Sequence, residues 1–342
     1  MGETRQTPDR WPSRRRVLSL TAAVTALGAA GTLTALSARG APAPPQVWRG
    51  RALGAQASIT LHHPDPAAAR ALIDECLAEI RRLEAIFSLY RADSALSQLN
   101  SAGALAHPPP DLLRLLHEAR RFGELTDGAF DVTVQPLWDL YAAHFAGDGT
   151  RSDGPSDSAV AAARSLVDDR ALRLDGQRIA FDRPGMAVTL NGIAQGYITD
   201  RVAALLRRAG MAQVLIDLGE IRALGGHPAG RPWRVGVEDP RAAGRHLRRL
   251  ALSDAALATS AGAGTAFDRQ GRFHHLFDPR SGRSSAHHAS VTVVAPSATT
   301  ADALSTAFSA LPLDRAVPIC ASLPDVKAMF LAPDGAVTTV DL

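Results

Sequence analysis

The sequence predicts an α+β protein, and three observations predict it. Short β-rich runs over residues 178–295 are interleaved with helical patterns in a mixed order, not as a regular βαβ array. Two long amphipathic patterns precede them, with no internal repeat. The 342 residues are 46% hydrophobic and 21% charged, which supports a core of ordinary size and excludes global disorder.

The elements follow in order. Residues 47–62 alternate loosely, with Ala57, Ile59 and Leu61 on one face of a β pattern. Asp65 and Pro66 then offer an N-cap and a first-turn proline for a helix running to about Phe87. Cys76 falls on that helix's apolar face among Leu72, Ile73, Leu77, Ile80 and Leu83, where it reads as a buried free thiol. Cys320 is the one other cysteine, so there is no disulfide framework. After a polar segment ending at Asn100, residues 108–111 introduce a second helix along which Leu112, Leu115, Leu116, Ala119 and Phe122 are spaced. Residues 147–158, rich in Gly, Ser and Asp, read as a surface loop between two lobes. Strands are expected at 178–182, 186–190, 214–216, 233–237 and 290–295, and helices near 192–209 and 300–311.

A formal charge of +3 and a basic pI suggest a polyanion-binding protein, but the charge is not spread along the chain. Six Arg against two acids put +4 on the first forty residues and leave −1 for the rest. Nucleic acid is thereby excluded as a partner. Ser13 is followed by Arg14, Arg15 and Arg16, then by an uncharged stretch from about Leu18 to Leu36, then by small residues and prolines. That layout is expected for a twin-arginine export signal over residues 1–43, with a periplasmic domain over 44–342. The uncharged run is also about long enough for a membrane anchor, although its Ala, Gly and Thr content makes it weakly hydrophobic.

Four groups of residues carry chemistry. In TLNGIAQGYITD, Thr189 to Asp200, a turn flanked by Gly192 and Gly196 leads into a helix. Such a turn admits a phosphate or metal close to the backbone, or it simply permits tight packing. It is neither a Walker loop nor a dinucleotide fingerprint. In ADALSTAF, Asp302, Ser305 and Thr306 stand at i, i+3 and i+4, so a helix gathers a carboxylate and two hydroxyls on one face. That set suits a hard cation, or it decorates an exposed first turn. In FHHLFDPRSG, His274 and His275 supply a general base or a zinc ligand, without tetrahedral-site spacing around them. Tyr90, Phe130, Trp138 and Tyr141 lie beside Gly turns and stack on a flat ring or fill core.

The identity and order of these blocks resemble the ApbE family of flavin transferases. FSLYRADSALSQLN, GAFDVTVQPLW, LNGIAQGYITD, WRVGVEDP, HHLFDPRSG, SVTVVAP and ADALSTA follow one another across about residues 50–342. The resemblance implies a two-lobed fold with mixed or antiparallel sheets and flanking helices, and an FAD site between the lobes. It implies an enzyme that uses FAD and Mg²⁺ and moves FMN onto a Thr or Ser hydroxyl of an acceptor flavoprotein, releasing AMP. Carried over by position, Leu53, Tyr90, Ala129, Phe130, Asp131, Asn191, Tyr197 and Phe277 correspond to FAD contacts. Ala194, through its carbonyl, with Asp302, Ser305 and Thr306 corresponds to the metal site, and His275 to the base.

The chain also departs from the family pattern. Thr189, Asn191 and Gln195 replace commoner residues, Ser305 stands where some relatives carry Asp, and the turn at Asp217–Ile221 is one glycine short. With the leader, that shorter turn resembles the NosX branch, whose acceptor would be a membrane-bound, NosR-like protein of the nitrous-oxide-reduction system. Two other activities are open on the same site: a Mg²⁺-dependent FAD pyrophosphatase and a non-catalytic flavin-binding assembly factor.

Overall fold

A computed structural model describes residues 44–52, 54–146 and 152–342. The expected export signal, Leu53 and part of the expected 147–158 loop lie outside the described residues.

The core of the fold is one eight-stranded sheet whose spatial order is its chain order. The strands are Pro45–Ala52, Ala55–His62, Val214–Asp217, Ile221–Leu224, Ala256–Ala261, Ser290–Ala295, Lys327–Leu331 and Val337–Val340. Every neighbouring pair is antiparallel. What breaks the meander is the length of its connections. The chain between His62 and Val214 carries six of the eight α-helices found among the described residues, including Pro66–Phe87, Pro110–Leu125 and Ala194–Arg208.

Alternation along the strands gives the sheet two faces. Val214, Ile216 and Leu224 point to one side and pack with the helices Pro66–Phe87 and Ala194–Arg208. Ala256, Ala258, Val291 and Val293 continue that face under the helix Ala298–Ser309. Leu215, Ile221, Ala223 and Leu257 point the other way and are covered by the hairpin Trp233–Glu238/His246–Leu252. Residues on the first face between Val214 and Ala261 are thus the ones that meet the helix termini.

Local signals placed several elements well. Asp65 caps the helix Pro66–Phe87 by accepting from the Ala67 N–H, and Cys76 and Cys320 are both buried and free. Ala57, Ile59 and Leu61 share the buried face of their strand. The expected strand at 186–190 is irregular instead. Its backbone is held by other groups: the Asn100 amide bonds both the N–H and the carbonyl of Val188, and Thr189 N–H donates to the Val132 carbonyl. With those groups satisfied, no ladder is needed.

Candidate active site

The glycine turn and the helix Ala298–Ser309 are pressed together at a point where no side chain fits. A Cβ on Gly196 would lie 2.3 Å from the Ala298 carbonyl oxygen and 2.8 Å from the Asp302 Cβ. A Cβ on Gly192 would lie 3.0 Å from the Thr306 side chain. These two glycines bring the helices together. Asp200 fastens the contact, accepting from the N–H groups of Ala298 and Thr299 and from the Thr299 hydroxyl at 2.7–2.9 Å. Gly196→Ala must displace backbone, so it is expected to lower stability by roughly 1–3 kcal/mol or more, measured by denaturant unfolding. An unchanged midpoint would show that the helices can separate freely.

At this contact the expected metal residues meet. The Asp302 carboxylate accepts from the Gly196 N–H at 2.9 Å, two residues past Ala194. Asp302 and Ser305 are buried, which removes the alternative of an exposed first turn. Ser260, at the end of its strand, lies 2.8 Å from the Ser305 hydroxyl and 3.3 Å from that of Thr306. Burial pushes the Asp302 carboxyl up to about 7, against the pull of the Gly196 N–H. A buried carboxylate beside hydroxyls, without a cationic partner among the described residues, fits a hard divalent cation. Among the described residues no three His, Cys, Asp or Glu side chains form a ready-made metal centre, so hydroxyls and the Ala194 carbonyl would have to contribute.

The helix terminus itself offers an anion less than its sequence suggests. The N–H groups of Ile193 and Ala194 already donate to the Leu190 carbonyl, and that of Gly196 to Asp302. A bound phosphate here therefore depends on a cation more than on backbone amides.

The histidine pair divides into a fastener and a candidate base. His274 is buried, its Nδ1 accepts from the Leu276 N–H, and its Nε2 faces the Ser285 carbonyl at 2.8 Å. Both ring nitrogens are spent. His275 Nδ1 faces the Thr265 carbonyl at 3.2 Å, which puts the proton there and leaves a lone pair on Nε2. Burial, with the adjoining His274, pushes the His275 ring down to about 4, so it is neutral at physiological pH. Hydrogen bonds tie this segment to the helix: Ser285 donates to the Ser309 carbonyl, and Ser309 donates to the Ser305 carbonyl at 2.7 Å. The His274 ring also closes over Gly262, where a Cβ would lie 2.7 Å from it, two residues past Ser260.

The expected flavin contacts are placed unevenly. Tyr90 is 60% exposed, with its ring at the protein surface. Ala129 and Phe130 are buried. The Asp131 carboxylate is occupied, accepting from the Thr133 N–H and hydroxyl and from the Asp169 N–H. Asn191 is exposed, and its N–H donates to the hydroxyl of Thr189, whose own N–H is bonded to Val132. The Tyr197 ring packs on Phe87 and its hydroxyl donates to Asp111 at 2.6 Å, so its polar atom serves the fold. The Phe277 ring lies 5.0 Å from that of Tyr141, inside a cluster with Phe267. Clefts of about 310 Å³ beside Trp48 and about 220 Å³ beside His288 lie away from all of these residues.

Sequence reading missed Ser260 and Glu220. Ser260 has no local signal, because its partners are 45 and 46 residues away. Glu220 has one, since it stands with Asp217 and Arg222 as the charged residues of an otherwise apolar run from Val214 to Leu224.

Comparisons with known proteins bear on the fold and the family. The profile of the ApbE family matches residues 53–330. An FAD:protein FMN transferase of Haemophilus influenzae is 31% identical over 258 residues, 72% of this chain and 74% of that one. The structure of flavin transferase ApbE from Vibrio cholerae superposes with a TM-score of 0.73 at 28% identity, covering 87% of this chain and 97% of the other. That of the Pseudomonas stutzeri flavinyl transferase ApbE, in its apo form, gives 0.74 at 26%, covering 89% and 98%.

Proposed function

This chain belongs to the ApbE family, and on that footing we propose that it is an FAD:protein FMN transferase that uses Mg²⁺ and modifies a Thr or Ser hydroxyl of an acceptor protein. The observation that carries the reading is the meeting of Asp302, Ser305 and Thr306 with the Gly192–Gly196 turn, with the segment that bears the neutral His275 tied to the same helix through Ser285 and Ser309.

In the reaction the acceptor hydroxyl oxygen bonds to the FMN phosphorus. The bond from that phosphorus to the pyrophosphate bridging oxygen breaks, and AMP leaves with the bridging oxygen. His275 Nε2 takes the hydroxyl proton, held to that task by the Nδ1 contact with Thr265. Asp302, Ser305, Thr306 and the Ala194 carbonyl would hold Mg²⁺. Bound there, Mg²⁺ supplies charge stabilisation to the pyrophosphate oxygens. The helix contact at Gly196 fixes the carboxylate, so the site is organised before the substrate arrives. No covalent enzyme intermediate is needed.

The leader and the shortened turn at Asp217 support a finer reading. In it the protein is exported by the twin-arginine pathway, works in the periplasm, and belongs to the NosX branch, which serves a membrane-bound, NosR-like acceptor. The domain would then run over residues 44–342.

Incubation with FAD, Mg²⁺ and a candidate acceptor domain should give an in-gel fluorescent acceptor and one AMP per flavin attached. Rapid AMP release without acceptor would favour the pyrophosphatase. FAD binding with neither product would favour the assembly factor.

A further inference from the structure

Glu220 stands apart from every residue assigned so far. It is 8% exposed, and its Oε2 is fully buried with no hydrogen-bond partner among the described residues. Its direction follows from the sheet. Ile221 and Ala223 lie under the hairpin, so Glu220 and Arg222 face the helices. Arg222 lies 3.8 Å from Asp200, the residue that caps the helix Ala298–Ser309. Two residues earlier along the strand, Glu220 falls beside the first turn of the helix Ala194–Arg208. There the Gln195 amide donates to the Leu218 carbonyl at 3.3 Å, and a Cβ on Gly219 would lie 2.3 Å from the same amide nitrogen. On its other side the Glu220 carboxylate faces the Thr259 N–H, one residue before Ser260.

Glu220 is therefore bracketed between the turn that bonds Asp302 and the serine that bonds Ser305 and Thr306. Burial pushes both carboxyls upward, and Glu220 also feels the charge of Asp302. A buried carboxylate with one oxygen unpartnered is costly to keep, because removing water from that oxygen without compensation costs more than a hydrogen bond returns. An acid here also makes up a deficit, because the helix offers a hydroxyl at Ser305 and only one carboxylate at Asp302.

We propose that Glu220 is a second carboxylate donor of the cation site, so that two acids from different elements, with the Ser305 and Thr306 hydroxyls, take up a hard divalent cation before the dinucleotide arrives. The proposal rests on the transferase reading only for the location of the site. The cation class follows from an all-oxygen donor set.

The test uses the full chain and Mn²⁺ alone, without FAD or acceptor, so it is independent of transfer activity. Binding is read by the loss of free Mn²⁺ signal in electron paramagnetic resonance. Glu220→Gln is expected to weaken binding by at least about tenfold. Asp217→Asn removes a neighbouring buried acid from the same turn and is expected to stay within about twofold of the native affinity. Equal loss in both variants would overturn the proposal in favour of a general field effect, as would native affinity in Glu220→Gln or no Mn²⁺ binding by the native chain. If Glu220→Gln does not fold, Glu220→Asp keeps the charge but withdraws the oxygens by one methylene. Weakened binding in that variant supports the proposal, and native affinity overturns it. Tight Mn²⁺ binding without FMN transfer would defeat the transferase reading and leave this one standing.

Discussion

Asp302→Asn is expected to abolish divalent-cation-dependent turnover while the protein stays folded. The amide keeps a carbonyl oxygen for the Gly196 N–H, so the helix contact survives. What goes is the charge. Because burial raises the carboxyl to about 7, the native chain holds an awkward anion at pH 8 when no cation is bound. The sign follows from linkage. A folded pKa above the unfolded value favours the protonated fold, and this group's contribution falls as pH rises from the unfolded value through the folded one. Without divalent ions, Asp302→Asn should thus melt at or above the native temperature at pH 8. Adding Mg²⁺ should raise the melting temperature of the native protein and not of the variant. A native transfer rate in the variant would remove Asp302 from the mechanism.

His275→Ala is expected to slow transfer by roughly 10² to 10⁴ while leaving FAD and Mn²⁺ binding intact. The pH profile gives a second readout. With the ring pushed down to about 4, the base remains unprotonated well below the usual histidine range, so at saturating Mg²⁺, which keeps Asp302 ionised, the histidine limb of kcat/KM should fall only near pH 4. His274→Ala should behave differently, since both ring nitrogens of His274 are bonded inside the fold and its loss should first appear as lowered stability. A native rate in His275→Ala would assign the proton to another group.

The parts of the fold that could be read from sequence are those with local causes. Asp65 and Pro66 begin a helix because a cap and a fixed φ act within one turn. Ala57, Ile59 and Leu61 show the period of a half-buried strand. Ile221–Leu224 and Lys327–Leu331 are almost wholly buried, so they carry no alternation, and neither was expected. Residues 186–190 carry a strand pattern, but their backbone partners are Asn100 and Val132, at least 55 positions away.

The site divides in the same way. Asp302, Ser305 and Thr306 were legible because helical spacing is a local property. Their burial was not, because it depends on two glycines a hundred residues earlier. Tyr197 and Asp131 show the converse. Both matched a family motif, yet their polar atoms are bound to Asp111 and to Thr133 and Asp169. Ser260 and Glu220 belong to strands whose place beside the helices is set by the sheet order alone.

The most direct test of the central claim is intact-protein and peptide mass spectrometry of envelope proteins from cells with and without this gene. The account predicts an FMN-sized adduct on one Thr or Ser of an envelope protein, absent from the deletion strain and restored by the native gene but not by Asp302→Asn. The same adducts in both strains, or restoration by Asp302→Asn, would contradict it.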